Sequence, residues 1–176
     1  MQMILNILST FSLLMLSALS FSSIYYTTKY FNFAHAGIMA AGAYFGFFFA
    51  NKLSIPISLS IVLAVAAAVG IGLLCEILVF RKMRKRNVPA LAYLITSIGL
   101  YVMLQNFISL FFGDDTKIIN TAEVTVGHQI FGAYITTVQI VTVFVSIALF
   151  IAVNLFLNFT ATGKSIRAVA SNPELC

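Results

Sequence analysis

Asn32 and His35 stand at the entrance to an apolar run that continues through Ile38 to Phe49, with the small residues Ala34, Ala36 and Gly37 around His35. An amide and an imidazole at such a place either find partners in the protein or line a wet cavity, because hydrocarbon offers no hydrogen bonds. A later apolar run carries Thr96, Ser97, Gln105 and Asn106. The two hydroxyls can bond back to helix carbonyls, whereas Gln105 and Asn106 either tie helices together or face a translocation path. Glu76 is the one acid inside an apolar run, a turn or so before Arg81. Near the end of a helix its carboxylate reaches water or pairs with a base, a structural tether.

These residues do not assemble into a catalyst. Covalent catalysis needs a nucleophile and a base brought together. His35 and His128 lie in different segments, no acid is near His35 in sequence, and there is no Gly-x-Ser-x-Gly elbow. Thr162-Gly163-Lys164-Ser165 ends like a phosphate-binding loop, but the glycine that pattern needs five residues earlier is Asn158. Cys75 and Cys176 have no metal-like spacing. The expectation is a protein that is not an enzyme, with no catalytic residue, no metal and no cofactor, any ATP being used by another chain.

The composition sets the solvent. Of 176 residues, 61% are hydrophobic and 9% charged, with a mean hydropathy of +1.02. Soluble domains carry roughly a quarter charged residues, so a bilayer is the environment. The basic run Arg81 to Arg86 is too short to suggest nucleic-acid binding and reads as a topology anchor near anionic headgroups. Five apolar runs approach the ~20 residues a crossing needs: Ile4 to Tyr26, Phe33 to Ala50, Ile55 to Phe80, Ala90 to Phe112 and Ile135 to Phe159. The fold class expected is therefore all-α, a polytopic bundle of about five transmembrane helices in one domain over 1–176. The second run is the shortest, either a short helix or part of a broken one. Its Gly42 and Gly46 form a small-xxx-small pair that admits a close neighbour. The third is rich in Ala and Gly and the fifth in bulky apolar residues, so runs two, three and four form the expected centre. The long connector from Gly113 to Tyr134 reads as a short hairpin or an interfacial segment.

Under five-span threading, eight of the ten basic residues fall on one side and Lys52 and Lys117 on the other. Basic loops stay cytoplasmic, which predicts an outside N-terminus and a cytoplasmic C-terminus, with Asp114, Asp115 and Glu123 outside. The same threading puts Asn32 to Gly37 near the cytoplasmic end, as a gate or as a break pinning span two against span three, with His35 in a hydrogen-bonded structural role.

Several motifs in order resemble the permeases of ABC importers for branched-chain amino acids. They are Asn32-Phe33-Ala34-His35 with Gly42-Ala43-Tyr44, then Gly72-Leu73-Leu74-Cys75-Glu76 with Arg81-Lys82-Met83-Arg84. Thr96-Ser97-Ile98-Gly99-Leu100 and Phe112-Gly113 follow, and last Thr162-Gly163-Lys164 through Arg167-Ala168 to Asn172-Pro173-Glu174. The resemblance implies a multi-pass permease of the bacterial inner membrane working by alternating access. Its partners would be ABC ATPase subunits, a homologous second permease and an extracytoplasmic substrate-binding protein. Asn32, His35, Thr96, Gln105 and Asn106 would line the path or gate. Phe33, Ala34, Gly42, Ala43, Tyr44, Gly46, Glu76 and Gly99 would serve as signature and packing positions. Gly163, Lys164, Arg167, Ala168, Asn172 and Glu174 would couple to the ATPase. Ala36, Gly37 and Ile77 depart from the family pattern, which leaves urea or another small amide beside branched-chain amino acids as cargo. The family's members are longer, so the chain reads as a fragment or truncated product with roughly the first five membrane helices. A non-transporting membrane scaffold is the rival; an ion channel would want a charged ring or a carbonyl filter, and neither is present.

Overall fold

The protein's structure, a computed structural model, describes residues 2–113, 115–117, 128–130 and 133–171. Two compact units make up the chain: Met1–Lys29 with Glu123–Cys176, and Tyr30–Ala122.

The first unit is built on helix α1 (Gln2–Thr28) and helix α6 (Thr137–Phe159), which pack together, with helix α7 (Ala161–Ser171) joined to the end of α6. Most hydroxyls of α1 are absorbed by the helix itself. Thr10, Ser12, Ser17, Ser23, Thr27 and Thr28 each donate to the carbonyl four residues back. That keeps polar groups satisfied where lipid cannot help. Strands β1 (His128–Ile130) and β2 (Ala133–Ile135) pair antiparallel, with Gln129 opposite Tyr134. A hairpin thus stands at the end of the long connector, just ahead of α6, while 118–127 lie outside the described residues. Thr136, in extended backbone, accepts the Gln139 amide while Gln139 returns a bond to the Thr136 amide. This capping box starts α6 two residues after the apolar run begins. The amide of Gln139 also reaches Asn6 of α1 at 3.4 Å.

The second unit places helix α2 (Ala34–Phe47) against both helix α3 (Ile57–Cys75) and helix α5 (Ala90–Phe112). Glycines make both approaches close. A Cβ on Gly42 would lie 3.2 Å from Ala68 Cβ, and one on Gly46 3.6 Å from Ala64 Cβ, both on α3. On α5, Leu104 and Tyr101 would meet a Cβ on Gly37 at 3.1 and 3.5 Å. At the far end, Tyr44, Phe45 and Phe48 gather around Phe112, with ring centroids 5.2 to 6.4 Å away.

Each of the first two helices of this unit runs into a π-helical turn, Phe48–Lys52 after α2 and Glu76–Phe80 after α3. The second turn continues into helix α4 (Arg81–Lys85), so the helix extends through most of the basic run expected to be a connector. Lys and Arg are good helix formers, and the stop comes only at Asn87, with φ of 48°, ahead of Val88-Pro89.

Among the described residues, four helices are long and apolar enough to cross a membrane: Asn6–Thr28, Ile57–Lys85, Ala90–Phe112 and Gln139–Phe159. The protein is a polytopic all-α membrane bundle, the small hairpin aside. The expected fifth crossing is the α2 segment. Even with its π turn it stops at Lys52, and so carries fewer apolar residues than the ~20 of a full crossing.

Candidate functional site

The polar stretch before α2 is built into the protein rather than left open. Asn32 folds its own side chain over the turn, Oδ1 accepting the Ala34 amide at 3.1 Å, while its carbonyl accepts the His35 amide at 3.4 Å. The remaining amide of the turn, on Phe33, donates to Ser97 Oγ at 3.1 Å. Ser97 is fully buried on α5, and its hydroxyl proton is directed at the carbonyls of Leu94 (2.8 Å) and Phe31 (3.2 Å). One serine thus holds the entrance of α2 to α5. Ala34 is fully buried beside it, and Gly37, one turn on, lets α2 lie against Leu104. The expectation that this stretch pins span two to span three is corrected. Its hydrogen bonds go to the fourth apolar run, because Ser97 is the hydroxyl within reach of the unpaired amides; α3 meets α2 further along.

Next to this junction, Tyr30 stacks on Tyr93 of α5, with centroids 4.4 Å apart and planes at 23°, and lies 5.9 Å from the ring of Phe80. All three residues are buried. Burial, and after it the Glu76 carboxylate, push the Tyr30 phenol up to about 12. Glu76 pairs with Arg84, not with the nearer Arg81. A regular helix would set residue 84 about 80° round from residue 76, but the π turn between them inserts one residue and brings the two faces to within about 20°.

The other polar residues of α5 behave differently. Asn106 donates to the Val102 carbonyl of its own helix at 2.7 Å and is exposed, as is Gln105; Thr96 is half-buried. His35 is half-buried in the first turn of α2. Asn32, His35 and Thr96 therefore share one end of the unit with Ser97, while Gln105 and Asn106 lie two to three turns away along α5. Of the signature positions, Gly42, Gly46 and Ala34 sit at helix contacts. Tyr44 rests on Phe112, and Phe33 and Ala43 are exposed. Gly99 is exposed and has nothing within 4 Å of a would-be Cβ, so it is not a packing position within the unit.

In the other unit, α6 turns sharply into α7 at Thr160. That residue ends α6 in extended backbone, its hydroxyl donates to Phe156 O at 2.6 Å, and it accepts the Gly163 amide at 3.0 Å. Gly163 is buried in the corner, where a Cβ would fall 2.6 Å from Leu157 Cα and 2.8 Å from Leu157 O. Only glycine fits there. Lys164 and Arg167 are exposed, and Arg167 Nη1 donates to Asn158 Oδ1 at 2.7 Å, across the corner. Ala168 lies in α7; Asn172 and Glu174, like Asp114 and Glu123, fall outside the described residues. Reading the residues alone missed Ser97, Gly37 and the Tyr30–Tyr93 stack. Ser97 did signal itself, as one of two adjacent hydroxyls in an apolar run. The tyrosines carried no such sign.

The chain is 27% identical over 179 residues to the high-affinity branched-chain amino acid transport system permease protein LivH of Escherichia coli (strain K12), covering 95% of this chain and 56% of that protein. The LivH protein of Salmonella typhimurium is similar to the same extent, 27% over 179 residues. The chain spans about half the length of these curated relatives. No solved structure matches it. Residues 3–176 match the family described as the permease component of the branched-chain amino acid transport system, and the chain belongs to that family.

Proposed function

We infer that the chain is the membrane-spanning permease subunit of an ABC importer, moving branched-chain amino acids across the bacterial inner membrane. The observation that carries this reading is the family match over residues 3–176. ATP is hydrolysed by separate ATPase subunits, and the chain itself is not an enzyme and holds no cofactor. A homologous second permease and an extracytoplasmic binding protein complete the system. With the short α2 segment counted as the fifth crossing, the N-terminus lies outside and the C-terminus in the cytoplasm. All of 1–176 belongs to one permease transmembrane domain. Asn32, His35 and Thr96 belong to a gate at one end of the path, with Gln105 and Asn106 along it.

The corner at Gly163 is the coupling element. Motion of an ATPase against α7 passes to α6 because the corner has no room to flex. Lys164 provides the free charge for docking, since Arg167 already holds Asn158. Lys164→Glu is therefore expected to weaken ATPase co-purification more than Arg167→Glu does.

The test is uptake. The protein is co-reconstituted in vesicles with ABC ATPases, a second permease and a binding protein from the source cell, and ATP-dependent entry of labelled leucine is followed. Uptake competed by isoleucine and valine supports the reading. Competition by urea instead would assign a small-amide permease, and a folded, inserted complex without uptake would assign a scaffold.

A further inference from the structure

The basic run at the end of the third apolar run is more than a charge tally, because the π turn sorts its members onto different faces. A regular helix advances about 100° per residue, and the turn over Glu76–Phe80 holds one residue more than an α turn, so residues beyond it lag by about one step. With that lag Arg84 faces the same way as Glu76, in keeping with their ion pair. Lys82 and Lys85 then fall within about 80° of Leu74, on the side that also carries Ile77 and Leu78. Leu73, Leu74, Ile77 and Leu78 are between 50% and 58% exposed, whereas Cys75 and Phe80 on the other side are buried. Arg81, Lys82, Lys85 and Arg86 are exposed, and among the described residues only Arg84 of this run has a carboxylate partner. An open apolar strip therefore rises directly into uncompensated cations.

We propose that this face, Leu74, Ile77 and Leu78 below Lys82 and Lys85, is a binding site for a phospholipid with an anionic headgroup. The two chemistries of the face are those joined in one such molecule: acyl chains along the leucines, a phosphate against the lysine ammoniums. A free phosphate would leave the apolar strip unused. The acidic groove of a water-soluble partner could not follow a strip that continues down a membrane helix. The cations add electrostatic attraction to the apolar contact, each lysine worth about a fivefold gain in affinity near an anionic surface.

The test uses the purified protein in a neutral detergent, with lipid binding followed by native mass spectrometry. Phosphatidylglycerol is expected to bind at least about tenfold more tightly than phosphatidylcholine, and the difference should shrink as salt is raised. The Lys82→Gln/Lys85→Gln variant should lose most of that preference, Lys82→Arg/Lys85→Arg should keep it, and Lys52→Gln, before the opposite end of α3, should not change it. Leu74→Ser/Leu78→Ser should weaken phosphatidylglycerol binding while glycerol 3-phosphate stays weak throughout. Equal affinity for the two lipids, a preference unchanged in the double glutamine variant, or glycerol 3-phosphate binding as tightly as the lipid would each overturn the proposal. The salt series on the unaltered protein decides the matter if the glutamine variant does not fold.

Discussion

Ser97 accepts the amide of Phe33, 64 residues away in sequence, at 3.1 Å, and in doing so closes the hydrogen-bond account of the turn that starts α2. Ser97→Ala would leave that amide without its partner at a part-buried place, at a cost toward the lower end of about 1–3 kcal/mol. The check is the thermal unfolding midpoint in detergent. Asn106→Ala is the matched comparison, because its amide serves only a carbonyl of its own helix, and its effect should stay within about 0.5 kcal/mol. A smaller loss for Ser97→Ala than for Asn106→Ala would refute the junction as described.

Gly163→Ala forces a methyl to within 2.6 Å of Leu157 Cα, so backbone must move. The expected cost is about 1–3 kcal/mol or more, as for other overpacked sites, and it should show as faster proteolysis of the segment after Thr160. Ser165→Ala, at an exposed position of the same helix, serves as the control and should leave the cleavage rate unchanged.

The Glu76–Arg84 pair sits where its side chains are 40% and 50% exposed. A double-mutant cycle with Glu76→Gln and Arg84→Gln should return a coupling below about 1 kcal/mol, falling further as salt is added. Orientation rather than stability is its contribution: it holds α4 in one rotation about the π turn.

Tyr30 has its phenol raised from 10.0 to about 12, first by burial and then by Glu76. A group whose folded pKa is raised contributes stability that is complete below the unfolded value and is lost as pH climbs through the folded one. The unaltered protein should therefore lose stability between about pH 10 and pH 12 in excess of what Tyr30→Phe loses, with helical signal followed across that range. Equal slopes for the two proteins would remove Tyr30 from the account.

What could be read from the residues alone was what depends on local pattern. The apolar runs placed the long helices to within a few residues, since burial in lipid needs nothing but length and apolarity. The spacing of Gly42 and Gly46 was legible because small-residue spacing is a local property too, and α3 lies 3.2 and 3.6 Å from a would-be Cβ at the two positions. Ser97 was passed over because a helix hydroxyl can satisfy itself on the carbonyl a turn back. The orphan amide that needs it lies on another segment and meets it only in the folded chain. Arg81 was the nearest base to Glu76 in sequence, and the choice of Arg84 depends on a π turn that leaves no mark in the amino-acid types. Gly163 belonged to a motif that resembled a nucleotide loop; its reason for being glycine is a corner between two helices, invisible until both are in place.

The turn at Glu76–Phe80 bears on how this protein tolerates changes of length. A helix that carries one residue beyond its ordinary repeat can lose one there and tighten into a regular spiral, with everything downstream still aimed as before. A single-codon deletion at Val79 should accordingly spare the tyrosine stack, the Glu76–Arg84 pair and the lysine face together. The same deletion within 62–69 would swing Glu76, Arg84 and the two lysines together by about 100° relative to α2. Length variants that survive selection in this helix should cluster at that one turn.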